Sequence, residues 1–314
     1  MIELVIVITL TAILSVVVGI FIARPISSYA SVTRRAELVD AADLAMRRIS
    51  RDIQDSVPNS LRVKVDPNNG NRVAVEMMHM VEGMRYRAYP SPVGPFLDFT
   101  QAITAFDVLG QFQFSIANSS CFVGAPCPGN ATCAAGNCRI VIYNTGANTG
   151  GSTPSDNPSP GANVYSTSAA PACSGCLPPP GSYNITPVGT TVTLSNPGAE
   201  GKVTLSSAVL FGFPSPRQRL YVVDTPVTYV CDTGAGSITR YWNYTVNQVQ
   251  PTNPGASPLS TAQTAQLTKD VSSCSFVYTP GTSANNGIIT MTISLTQGGE
   301  VITLMRQTSV SNVP

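Results

Sequence analysis

The chain has 314 residues, of which 11% are charged and 43% hydrophobic, and its formal net charge is +1. An average soluble domain carries about 25% charged residues, so Ser, Thr, Asn, Gly and Pro must supply most of the polar surface here. Near-neutral charge excludes the broad cationic footprint of a nucleic-acid binder.

The chain opens MIELVIVITLTAILSVVVGIFIARPISSYA, and Glu3 is its only charge before Arg24. From Leu4 to Ile22 there are 19 residues without a charge. As a helix that run spans roughly 28 Å, about one hydrocarbon core. A transmembrane segment is expected over 4–22. A cleaved signal peptide fits less well, because no basic region precedes the apolar run. The nearest basic residues, Arg24, Arg34 and Arg35, follow it and would hold the C-terminal side in the cytoplasm. Eight cysteines, all between Cys121 and Cys274, point instead to an oxidising compartment. A basic stretch upstream of Met1 would reconcile the two.

The pattern from Tyr29 to Val57 is amphipathic helix. Leu38, Ala42, Ala45, Ile49 and Ile53 recur at three- and four-residue steps and form one stripe. Asp43 with Arg47, Arg48 with Asp52, and Arg51 with Asp55 have i,i+4 spacing. Pro25 lies inside this helix and predicts a kink or a boundary between two helices. Pro58 ends it.

Beyond Pro58 the period becomes two. Strands are predicted at 61–65, 72–77, 84–89, 111–116, 139–143, 189–195, 219–224, 227–231, 237–244, 273–278, 287–295 and 300–310. Gln297, Gly298 and Gly299 make a hairpin turn between the last two. The DPNNGN loop, with Asp66, Asn68 and Gly70, is read as turn chemistry, since the downstream glutamate of a calcium loop is missing. Residues 117–187 are rich in Gly, Ser, Asn and Pro and read as a surface excursion that cannot build a core. The expected fold is α+β: a long N-terminal helix, transmembrane then amphipathic, packed on an antiparallel β-sheet domain, with residues 1–57 as the helix and 58–314 as the periplasmic or extracellular domain.

No catalytic constellation stands out. His79 is the single histidine and reads as structural. Cys121, Cys127, Cys133, Cys138, Cys173 and Cys176 contain one CxxC, whereas a zinc ribbon wants two. Disulfides are therefore favoured over a metal, with connectivity left open. Cys231 and Cys274 stand apart on strands of the β domain and read as a pair. No cofactor and no metal are expected, and the chain does not read as an enzyme.

The opening IELVIVITLTAIL resembles the start of type IV pilins and pseudopilins. In that family a basic leader ending in Gly is removed, and the mature chain continues Phe-Thr-Leu-Ile-Glu. The resemblance makes Glu3 the family's assembly glutamate and Pro25 its helix-bending proline. RRAELVDAADLAMRRISRDIQDSVPNSLRV, VEGMRYRAY, SPRQRLYVVDTPVTYVCD and ITRYWNY look like MshO-type minor pilins of mannose-sensitive haemagglutinin (MSHA) pilus systems. They are also broadly similar to J-type pseudopilins of type II secretion and to W-type minor pilins. The resemblance implies a pilus subunit of the initiating or tip complex, anchored in the inner membrane with its β domain outside the cytoplasm. Implied partners are other minor and major pilins, the inner-membrane assembly platform and, given a leader upstream, prepilin peptidase. A pilin-stemmed adhesin, with the excursion as its binding surface, is the rival.

Overall fold

The computed structural model describes the chain except residues 1, 89–93, 114, 118–119, 123–130, 134–137, 151–155, 173–176, 282–284 and 313–314; side chains at 19–20, 22–27 and 114–137 are also outside the description. The first element, α1 (Ile2–Gln54), is one helix. It runs through Pro25 without a break, so that proline is not a boundary between two helices. Of its stripe, Leu38, Ala42, Ile49 and Ile53 are buried in one core with Met77, Tyr229, Met291 and Ile293, and Ala45 is buried as well. Fully burying each of the larger aliphatic side chains contributes roughly 1.5–3 kcal/mol. Asp43 and Arg47 pair at 2.6 Å, and Arg48 and Asp52 at 3.3 Å. No ion pair joins Arg51 and Asp55 among the described residues. The helix stops short of Pro58 because the next residues zip onto a strand. The Val57 amide donates to Met78 O at 2.9 Å, and the Met80 amide to Asp55 O at 3.0 Å.

Among the described residues fifteen strands follow: β1 (Arg62–Val65), β2 (Arg72–Tyr86), β3 (Ile103–Leu109), β4 (Ser115–Ala117), β5 (Ser120–Phe122), β6 (Ala131–Cys133), β7 (Arg139–Ile142), β8 (Val192–Ser195), β9 (Gly201–Val209), β10 (Arg219–Asp232), β11 (Ser237–Trp242), β12 (Gln263–Lys269), β13 (Val271–Thr279), β14 (Gly287–Gln297) and β15 (Glu300–Val310). A ten-stranded sheet has the order β12-β11-β10-β2-β3-β9-β8-β6, with β1 added beside β2 and β7 beside β10. A second sheet is the meander β13-β14-β15, and β4 pairs with β5. Every ladder between these strands is antiparallel.

The expected fold class is corrected. The described residues are predominantly antiparallel strand, and their helices are α1 and a 3-10 turn at Leu259–Thr261. No helix among them is long and apolar enough to cross a membrane. Nor does α1 as a whole lie on a sheet. Its buried residues begin at Leu38, and every large apolar side chain from Ile2 to Val18 is at least 50% exposed. The reason is periodicity. A one-sided stripe exists only in the last third of the helix, whereas the first third is apolar all round and has no preferred face.

Two pairs of predicted strands prove continuous. RVAVEM and Met84–Tyr86 of MRYRAY merge in β2, RLYVVD and VTYVC merge in β10, and Tyr89 of the predicted 84–89 strand lies outside the described residues. Pro226, which lacks an N–H, sits at a register irregularity between Val223 and Pro226 and so interrupts no regular ladder. Strands β3, β5, β6, β9 and β12 were not foreseen. β12 is a mostly exposed edge with little apolar alternation, defined by its pairing to β11. Residues 111–113 are not strand, although Phe112 is buried in a core with Tyr86, Phe106 and Phe211. The β14–β15 hairpin is as read. Gly298 (φ 57°) and Gly299 (φ 84°) occupy the left-handed region that a two-residue turn requires.

The excursion is corrected too. β7 joins the large sheet, and Val141, Val164, Tyr165 and Ile185 pack with Val57, Met78, Tyr221 and Val223 in one core. Polar side chains make this possible where apolar ones are sparse. Buried Asn144 donates to Pro58 O at 2.8 Å and accepts from the Val164 amide at 3.0 Å. Arg139 Nε donates to Thr186 O at 2.7 Å and joins the two ends of the segment. Burial pushes that guanidinium down to about 10.

Candidate functional site

Three features carry candidate chemistry. The first is the exposed start of α1, with Glu3 in its first turn, where the positive end of the helix dipole favours a carboxylate. The free part of the helix is tied to the β domain at its other end. Arg34 donates to Gly298 O at 3.2 Å, Asp43 pairs with Arg306 at 3.1 Å, and Ser50 and Thr308 share a hydroxyl hydrogen bond of 2.8 Å. Asp52, 5% exposed, accepts from Arg240 Nε and from the Tyr229 hydroxyl, each at 2.7 Å. A carboxylate in the last turn of a helix opposes the dipole. Arg48 and Arg240 supply the compensating charge. The pairing of Arg48 with Asp52, read from sequence as i,i+4 spacing on a helix, is one side of this buried cluster.

The second is the cysteines. Cys231 at the end of β10 and Cys274 on β13 form the disulfide that the sequence reading expected, and it links the large sheet to the meander. Cys138 is buried and disulfide-bonded. Cys121 lies on β5 and Cys133 on β6. Their side chains, with Cys127, Cys173 and Cys176, lie outside the described residues. No group of three or more His, Cys, Asp or Glu placed to hold a metal occurs among the described residues.

The third is a buried polar network that sequence reasoning missed. Glu76 on β2 is 0% exposed and receives Arg62 Nε at 2.6 Å from β1, directly across the ladder. The Tyr244 hydroxyl donates to Glu76 Oε1 at 2.8 Å, and Thr228 Oγ1 lies 2.6 Å from that same hydroxyl. Burial pushes the Glu76 carboxyl up, against the opposing pull of Arg62 and Tyr244. Arg62 also donates to the carbonyls of Asn247 and Gln248, and its guanidinium stacks 3.6 Å above the Tyr165 ring. Over this stack opens a cleft of about 380 Å³ between residues 59–63, the 145–165 segment and Tyr278–Pro280. The signal was available in the hairpin: registering LRVKV on RVAVEM across the DPNNGN turn sets Arg62 opposite Glu76.

His79 Nδ1 lies 2.8 Å from Asp224 Oδ1. Burial alone lowers its pKa, but the Asp224 hydrogen bond and charge, with the charge of Asp52, outweigh this and hold it above the ordinary histidine value. A raised folded pKa stabilises fully below the unfolded value of about 6.5 and loses that contribution as pH rises through the folded value. The denaturant midpoint is therefore expected to fall as pH rises from about 6.5 through the folded value. In His79→Gln this part of the slope should vanish. An unchanged slope would mean that the His79–Asp224 pair does not couple to folding.

No family model matches the chain, and neither a curated protein nor a solved structure is similar to it.

Proposed function

We propose that the chain is a fibre subunit: a minor pilin of an MSHA-like type IV pilus, acting in the initiating or tip complex. One observation carries the reading. The N-terminal third of a 53-residue helix holds at least a dozen large apolar side chains in solvent, on a stem clamped to a folded head. Exposed apolar area of this extent is a surface in need of a cover. Stems of neighbouring pilins supply it by helix packing, and Glu3 then meets the amino terminus of an adjacent stem. On this reading the head faces the periplasm and later the cell surface, the assembly platform takes up the stem, and prepilin peptidase acts on any leader. The resemblance of the first thirty residues to pilins supports it. A J-type pseudopilin of type II secretion has the same architecture and is distinguished by its partners.

The test is Glu3→Ala in cells that make the whole fibre. The variant is expected at normal level and with an unchanged melting temperature, because Glu3 touches no part of the head. Co-purification with other minor pilins should drop, and fibres per cell should fall. Wild-type values of both at normal expression would remove Glu3 from assembly.

The cleft walled by the 145–165 segment favours a second reading, a binding module carried on the same stem. Shortening that segment would then abolish attachment and leave fibre number intact.

A further inference from the structure

The chain contains two Asn-Gly pairs, Asn69–Gly70 and Asn286–Gly287, and the fold holds them differently. In such a pair the side-chain amide carbon is open to attack by the next backbone nitrogen, because glycine has no Cβ to hinder the approach. In a folded chain the attack requires a glycine nitrogen that can move and meet water.

Gly70 is exposed in the turn between β1 and β2, and a Cβ there would meet nothing within 4 Å. Among the described residues no hydrogen bond holds its N–H. Its neighbours are fixed. The Asn69 amide donates to Asp66 O at 3.2 Å, the Arg72 amide to Asn69 O at 2.9 Å, and the Asn71 amide to Asn69 Oδ1 at 3.1 Å. The last of these sets a donor on the oxygen that gains negative charge when the amide carbon is attacked. Gly287 is the opposite case. It is buried and opens β14 opposite Val310. A Cβ there would lie 3.1 Å from Gly281 N and from the Tyr278 ring, and 3.2 Å from Thr279 O.

We infer that Asn69 is a self-modification site, which deamidates through a succinimide in the folded protein while Asn286 is spared. The Gly70 nitrogen loses its proton to solvent and bonds to Asn69 Cγ. The Cγ–Nδ2 bond breaks, and Nδ2 takes up a proton and leaves as ammonia. Water then opens the ring. Cleavage between Gly70 N and Cγ gives aspartate. Cleavage between Gly70 N and the main-chain carbonyl carbon of Asn69 gives isoaspartate, whose chain runs on through Cβ and Cγ. Either product adds a carboxylate to a loop in which Arg72 is already shared between Asp232 at 2.6 Å and Asp66 at 3.8 Å. Isoaspartate also lengthens the main chain by one carbon, next to the ladder that runs from Val65–Val73 to Arg62–Glu76. The aged turn therefore strains the hairpin that carries the buried Arg62–Glu76 pair.

The experiment ages the full chain in detergent at physiological temperature, in water labelled with heavy oxygen. Trypsin releases residues 65–72 as one peptide, and fragment masses place the label on Asn69 rather than on Asn68 or Asn71. A protein isoaspartyl methyltransferase counts the isoaspartate. A parallel sample in urea removes the fold, and there the two Asn-Gly pairs should react at similar rates. In the folded chain Asn69 is expected to react about tenfold or more faster than Asn286. Gly70→Ala has room for its methyl group, and φ at Gly70 lies outside the left-handed region. That variant should melt like wild type and deamidate about tenfold or more slowly at Asn69. Asn69 left intact in the folded chain after the unfolded chain has reacted would overturn the inference. So would equal rates for the two pairs in the folded chain, or a wild-type rate in Gly70→Ala. None of these readouts involves fibre formation, so the outcome is separate from that of the pilin reading.

Discussion

Glu76→Ala is expected to destabilise the β domain by about 3–5 kcal/mol, because it strands the Arg62 charge in the core. Both side chains are buried, at 8% and 0% exposure, and lie 2.6 Å apart. The same change removes the acceptor of the Tyr244 hydroxyl. For a fold with about 5–15 kcal/mol of total stability, this loss takes a large share of the margin. The energy belongs to the broken pair, not to the intact one. Replacing both charges by apolar residues of similar size, Arg62→Met with Glu76→Leu, should therefore recover most of the loss. Denaturant melts of wild type, single and double variants make the comparison. A single variant within 1 kcal/mol of wild type, on the scale of an exposed pair, would show that solvent reaches the site.

Removing the Cys231–Cys274 disulfide should cost nearly as much. The bonded residues are 43 apart in sequence, and closing a loop of that length restricts the unfolded chain by about 4 kcal/mol as an upper figure. The bond is also a cross-link between the large sheet and the meander, and Cys231 is completely buried. Cys231→Ala with Cys274→Ala is expected to melt well below the oxidised wild type and to be insensitive to reductant, whereas wild type should move toward it when reduced. Cys231→Ser should also lower the melting temperature more than Cys173→Ser does. Peptide mapping of oxidised protein that recovers both thiols free would refute the pairing.

How far the sequence could be read follows from where its signals are local. The stripe from Leu38 to Ile53, the turn at Gln297–Gly299 and the last two strands rest on short-range patterns, and each is found where it was expected, while the Cys231–Cys274 pair was legible because these two cysteines stand apart from the other six. Strand β12 is different: its residues are polar and exposed, and a partner strand makes it regular. The 139–187 segment misled for a related reason. Composition measures apolar content, but here Asn144 and Arg139 do the holding through hydrogen bonds to distant carbonyls. The cleft was illegible because its walls come from three separate stretches, brought together only by the tertiary fold. The apolar opening was read as a membrane span from run length alone, and run length does not say which neighbours surround a helix.

The three ties between α1 and the C-terminal hairpin have a mechanical consequence. They fall in the same order along both elements: Arg34 at Gly298, Asp43 at Arg306, Ser50 at Thr308. The helix therefore runs alongside β15 in the same sense. A tensile load applied along the stem strains all three contacts, and the apolar stripe beneath them, together. That is shear geometry, in which no single bond yields first. A sideways load would open the same joint one contact at a time, starting at Arg34. The joint is therefore expected to be strong along its axis and compliant across it, with the Gly298 turn as the point where peeling begins.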